Sequence, residues 1–118
     1  MFRVIVAGGR DFNDYNLLKS KLDYALRNRI DEGIMIVSGT ARGADKLGER
    51  YAKEKGYPID SKPADWNKYG KSAGYIRNKE MADNADALMA FWDGKSRGTR
   101  HMIDTALKQG LKVIVIKY

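Results

Sequence analysis

The chain has no cysteine and only one histidine. Without cysteine there are no disulfides, thiolate metal sites or cysteine nucleophiles, which fits a reducing, cytoplasmic compartment. A lone histidine leaves His-rich metal sites and a Ser-His-Asp triad without material, so no metal and no cofactor are expected. No apolar run approaches the roughly 20 residues that a membrane-spanning helix needs. The opening Met1–Ala7 is too short for a signal peptide and reads directly as a strand. No block of five like charges, internal repeat, low-complexity tract or linker interrupts the sequence.

What is present is ordinary for a globular protein. The 118 residues are 43% hydrophobic and 31% charged, and residues 1–118 are expected to form one domain. Twenty-two lysines and arginines face 15 aspartates and glutamates, for a net charge of +7. A basic balance points to anionic partners: phosphates, nucleotides or nucleic acid.

Five short apolar runs stand at Phe2–Ala7, Ile34–Val37, Tyr57–Ile59, Ala87–Trp92 and Leu111–Ile116. The second, fourth and fifth are nearly continuous rather than alternating, as strands buried on both faces of a parallel sheet are. The spacers are helical. Leu18, Leu22 and Ala25 recur at i, i+4, i+7, with Asn13 or Asp14 as N-cap. Ala44, Leu47 and Tyr51 repeat similarly, and Gly56-Tyr57-Pro58 closes their helix. Thr99, Met102, Ile103, Ala106 and Leu107 follow the 3.6 period up to a stop at Gly110. Ser61–Lys71 reads as the one long irregular loop. The alternation implies an α/β, Rossmann-like doubly wound domain with a five-stranded, mostly parallel sheet in the order 3-2-1-4-5. In such sheets ligands bind beyond the carboxyl ends of the strands, at the switch point.

Three of the turns at that edge are distinctive. They are Gly8-Gly9-Arg10-Asp11, Ser38-Gly39-Thr40-Ala41-Arg42-Gly43-Ala44-Asp45 and Asp93-Gly94-Lys95-Ser96-Arg97-Gly98-Thr99. Glycine alone makes tight turns, but each of these also carries an arginine and leads into a helix. Guanidinium with helix N-terminal N–H groups suits an anionic, nucleotide-like ligand. Two nucleotide motifs are absent. A P-loop ending at Gly94-Lys95-Ser96 needs a glycine where Met89 stands, and no G-x-G-x-x-G follows the first strand. ATP hydrolysis and ordinary NAD-dependent chemistry are disfavoured accordingly.

Gly74, Arg77, Asn78 and Met81 share one helix face, on which Arg77 and Asn78 are candidates to enter the cleft. Trp66 and Tyr69 in the preceding loop are candidates for a lid or a stacking surface; a loop pinned to the core by aromatics is the plainer alternative. Asp45 and Asp104 are the acidic side chains to look for near the cleft. His101, in the first turn of the last helix, is read as structural rather than catalytic.

These residues carry a resemblance. Gly8-Gly9-Arg10-Asp11-Phe12, Ser38-Gly39-x-Ala41-Arg42-Gly43-Ala44-Asp45, Trp66-x-x-Tyr69-Gly70-x-x-Ala73-Gly74-x-x-Arg77-Asn78-x-x-Met81 and Phe91-Trp92-Asp93-Gly94-x-Ser96-x-Gly98-Thr99 resemble the YspA-like, cpYpsA-related branch of the SLOG superfamily over essentially the whole chain. The resemblance implies a Rossmann-like domain that binds nucleotides or nucleotide-derived ligands such as ADP-ribose derivatives, in bacterial or phage proteins, as a sensor or sequestering module. Relatives often dimerise, so a homodimer is a further expectation. The LOG phosphoribohydrolases of the same superfamily use an arginine in R-x-x-x-M and a glutamate in P-G-G-x-G-T-x-x-E. Arg77 to Met81 is similar to the first stretch. In the second, Gly98-Thr99 matches, but the glutamate position falls on Met102. An N-glycosidic hydrolase is thus the alternative function. A nucleic-acid-binding module, as in the related DNA-processing protein A family, is the second alternative.

Overall fold

A computed structural model describes all residues, Met1–Tyr118. Its elements run β1 (Phe2–Gly8), α1 (Tyr15–Leu26), β2 (Ile34–Ser38), α2 (Ala44–Lys55), β3 (Ile59–Ser61), a short α3 (Trp66–Tyr69), α4 (Ala73–Asp83), β4 (Ala87–Trp92), α5 (Arg97–Lys108) and β5 (Lys112–Lys117). All strand pairs are parallel, and the sheet order is β3-β2-β1-β4-β5. The expected order is the observed one.

Strand alternation splits the apolar runs between two cores. Val4 and Val6 of β1, Ile34 and Ile36 of β2, and Met89 and Phe91 of β4 pack with Leu18, Leu22 and Tyr51 beneath α1 and α2. Ile5, Ala7, Val37, Leu88 and Ala90 face the opposite way, onto Met81, Met102 and Ile103 of α4 and α5. A central strand needs apolar residues at every position because both faces are covered. Each fully buried aliphatic side chain here contributes about 1.5–3 kcal/mol.

Two of the expected apolar runs differ from the structure. β5 is an edge strand, and Ile114 and Val115 are 43% and 38% exposed rather than buried on both faces. Its apolar run reflects one paired side and partial cover only. β3 starts at Ile59 rather than Tyr57. Tyr57 still belongs to the end of α2: its N–H returns to the Ala52 carbonyl, and its ring packs on Tyr51. Between β3 and α4 the chain is not wholly irregular either. Asp65 accepts the Lys68 N–H and caps α3, which runs through a 3-10 turn at Gly70–Ser72 into α4. Asp14, not Asn13, caps α1 by accepting from Leu17 N–H. Gly110 ends α5 at φ +79°, as its position implied.

Candidate functional site

The carboxyl ends of β1, β2 and β4 open into one cleft, a cavity of about 770 Å³ between the glycine turns and α4. The first two turns lie directly on each other. Gly43 adopts φ +80°, and a Cβ there would stand 2.3 Å from the Gly9 carbonyl oxygen. That carbonyl instead accepts the Ala44 N–H at 3.2 Å, joining the start of α2 to the first turn. Gly39 serves a different approach. A Cβ on it would meet the Arg77 guanidinium at 2.5 Å and the Asp45 carboxylate at 2.8 Å.

Arg77 reaches across from α4. It donates through Nη1 to the Gly39 carbonyl and through Nε to Asn78 Oδ1 at 3.1 Å. Asp45, only 5% exposed, accepts the Ala41 N–H at 3.1 Å. Burial pushes its carboxyl up to about 6; the Ala41 N–H and the charges of Arg77 and Arg10 oppose that rise, while Glu49 adds to it. Burial also lowers the Arg77 guanidinium, against the pull of Asp45. In the third turn Asp93 accepts the N–H groups of Ser96 and Lys95, both at 2.8 Å, and these hold its carboxyl below the ordinary value. Ser96 caps α5 by accepting from Thr99 N–H. Thr40, at φ 65°, is the one non-glycine residue in the left-handed region; its N–H is tied to Ser38 Oγ. Strain of this kind persists where the surroundings over-determine the backbone.

Of the residues singled out in the sequence, Gly8, Gly9, Arg10, Arg42, Asp45, Trp66, Arg77, Asn78, Asp93, Ser96, Gly98 and Thr99 line the cavity together. Ser38, Gly39, Gly43 and Gly94 stand behind the wall. Ser38 Oγ donates to Glu49 at 2.6 Å, and Gly94 packs near the Lys117 amine. Tyr69 is outside the lining, with the Lys68 amine over its ring; Tyr75 takes the place foreseen for it. Asp104 faces solvent beside Arg100 and is not at the cleft. Ala7, Asp11, Ala41, Lys71, Gly74, Tyr75, Met81 and Met102 complete the wall. Tyr75 was legible as the residue three before Asn78, one helical turn away. Asp11 belongs to the first glycine turn as quoted, whereas Lys71 carried no signal beyond its place between Gly70 and Ala73. Trp66, 53% exposed, and Tyr75 present aromatic surface at one side. Arg10, Arg42, Lys71 and Arg77 supply cationic donors. Met102 offers no acid or base where a glutamate would act.

Comparison with known proteins agrees with this architecture. The family model described as "YspA, cpYpsA-related SLOG family" matches residues 2–69. The Gene 61 protein of Mycobacterium phage D29 is 38% identical, over 97% of this chain and 95% of that protein. The X-ray structure of TM1055, a structural-genomics target, superposes with a TM-score of 0.68 at 19% identity, over 96% of this chain and 72% of that one. At that identity the likeness concerns the fold alone.

Proposed function

Because the chain belongs to the YspA, cpYpsA-related SLOG family, we propose that its cleft binds a phosphate-bearing nucleotide or nucleotide derivative, with ADP-ribose-like molecules as the leading class, and that the protein acts as a sensor or sequestering module. One observation carries the reading. Arg10, Arg42, Lys71 and Arg77 converge on one cavity, and none of them has a carboxylate within ion-pairing distance. Asp11, Asp45 and Asp93 share the lining, so the four cations exceed its carboxylates by one, and such an excess favours an anion. The N-terminus of α5 adds its dipole at Gly98 and Thr99. Trp66 and Tyr75 offer stacking surface for a base.

Thermal-shift measurement across mononucleotides, cyclic dinucleotides and ADP-ribose compounds tests it. A ligand at about 100 times its Kd adds roughly 2.7 kcal/mol of stability. Arg77→Ala is expected to lose about 10- to 150-fold in affinity, the worth of one hydrogen bond to a charged group. No stabilisation by any member of the panel would end the proposal.

A second reading, N-glycosidic hydrolysis of such a ligand, draws on one feature: the buried Asp45 carboxyl raised to about 6 inside the same cavity. Met102, at the position of the relatives' glutamate, weighs against it. Chromatographic detection of free base released from a bound nucleotide decides between sequestration and hydrolysis.

A further inference from the structure

The Asn78 amide is held from three sides. Its Oδ1 accepts the Arg77 Nε–H at 3.1 Å, while its Nδ2 lies 3.4 Å from the Gly98 carbonyl and 3.2 Å from His101 Nδ1. An amide nitrogen only donates, so the imidazole nitrogen facing it accepts, which makes His101 neutral with its proton on Nε2. Turning the amide over would set Oδ1 against the Gly98 carbonyl and Nδ2 against the Arg77 Nε–H. One orientation therefore satisfies every partner, and only while the imidazole is neutral. From Asn78 the chain of bonds continues through Arg77 to the Gly39 carbonyl. His101 itself does not line the cavity, but its ring packs, tilted by 33°, against that of Tyr75, which does, with centroids 4.3 Å apart.

We propose that His101 is a positioning residue for the cleft: as the neutral Nε2–H tautomer it fixes the Asn78 amide and through it the Arg77 guanidinium, and its protonation releases both, so that ligand affinity falls in acid. The inference rests on the nucleotide-binding reading above. Protonation places a donor on Nδ1 opposite the Asn78 N–H. The relief is a turn of the amide, which withdraws Oδ1 from Arg77. The guanidinium then loses one of the two contacts that hold it ready, and pre-organisation is a large part of affinity.

The titratable and charged groups around the imidazole are Tyr75, Lys79, Glu80 and Asp83 on α4 and Asp104 and Lys108 on α5. Lys79 pairs with Asp83, Glu80 with Lys62 and Asp104 with Arg100. Burial holds the imidazole below its ordinary value, with Asp104 raising and Lys108 lowering it.

As the only histidine in the chain, His101 gives unambiguous NMR signals. In the free protein its ring nitrogens are expected to report Nε2–H, and Asn78→Ala should raise its titration midpoint by removing a donor to the neutral form. ADP-ribose is the probe for binding, because its pyrophosphate does not titrate between about pH 5 and 8, the histidine range. By calorimetry, affinity for it should fall about tenfold from neutral to acid pH, the loss of one hydrogen bond to a charged group. By linkage, ADP-ribose should lower the His101 midpoint by the same factor. His101→Asn keeps an acceptor where Nδ1 stands and does not titrate. It should bind as wild type does at neutral pH and lose this part of the pH dependence; any part it retains belongs to Asp45. His101→Phe keeps a ring against Tyr75, lacks the acceptor, and should bind weakly at every pH. An Nδ1–H tautomer, a midpoint indifferent to Asn78→Ala, or identical pH profiles for wild type and His101→Asn would overturn the proposal. If the tautomer and the Asn78→Ala shift are found but ADP-ribose binds at no pH, the nucleotide reading falls and the relay stands.

Discussion

Asp45 illustrates what the cleft asks of single residues. Its carboxylate is almost wholly buried, and its carboxyl sits at about 6 in the folded protein against a usual value near 4. A carboxyl raised on folding binds its proton more tightly in the native state. Stability is therefore highest below the unfolded value and declines as pH rises from about 4 to about 6, then levels. The penalty is on the order of 3 kcal/mol at neutral pH, at 1.36 kcal/mol for each unit. Asp45→Asn keeps an oxygen for the Ala41 N–H and cannot ionise. Its expected signature is a higher Tm than wild type at pH 7.5 and no advantage at pH 4, read by calorimetry at both values. If the variant is no more stable at pH 7.5, Arg77 and Arg10 already compensate the buried charge in full. A side chain that costs stability and lines the cavity is one retained for what the cavity does.

At the scale of elements, the sequence was most readable where both faces of a strand are covered. The continuous runs at Ile34–Val37 and Ala87–Trp92 mark central strands, and Gly110 marks the end of α5. It was least readable where tertiary context decides. The run at Leu111–Ile116 reads as buried on both faces, yet on β5, an edge in the expected order as in the structure, Ile114 and Val115 stay partly exposed, because how far the helices cover an edge is not written in local pattern. The site divides likewise. Arg10 and Arg42 in their glycine turns were visible, whereas Arg97 of the third turn is outside the lining and Lys71 reaches the cavity only through the way the turn before α4 is placed. Gly48 is another case. It interrupts the apolar face of α2, and a Cβ on it would meet Val6 Cβ at 2.7 Å, so glycine sets how closely α2 packs on β1. Overpacking costs about 1–3 kcal/mol and the helix-propensity gain returns about 1. Gly48→Ala should lower Tm by several degrees, and adding Val6→Ala should recover part of that loss. Strictly additive losses in that double-mutant cycle would mean the helix shifts freely and the close approach is not limiting.

For the molecule as a whole, the excess of +7 is less informative than where it remains uncompensated. The outer helix faces are laced with local pairs such as Arg50–Glu54, Lys79–Asp83 and Lys46–Glu49. These are exposed and each contributes little to stability. Arg10, Arg42, Lys71 and Arg77 lie outside those pairs and gather at one cavity, where Asp11, Asp45 and Asp93 offset them only in part. That arrangement separates a small anion from a nucleic acid by salt dependence. A single strand that engaged all four side chains would release counterions with a log–log slope of about −3, at roughly −0.7 for each phosphate contact. A pyrophosphate ligand has two phosphates to offer and is expected to show less than half of that. Fluorescence titration is suited to the measurement, because Trp66 stands at the cavity wall and a stacked base quenches it. The expected result is quenching by ADP-ribose with a shallow slope, and weaker binding of a single-stranded oligonucleotide at physiological salt. An oligonucleotide that binds more tightly than any nucleotide, with a slope near −3, would move the assignment from small-molecule sensing to nucleic-acid binding. The same four cations would then track a phosphate backbone, with Trp66 and Tyr69 as stacking surfaces for its bases.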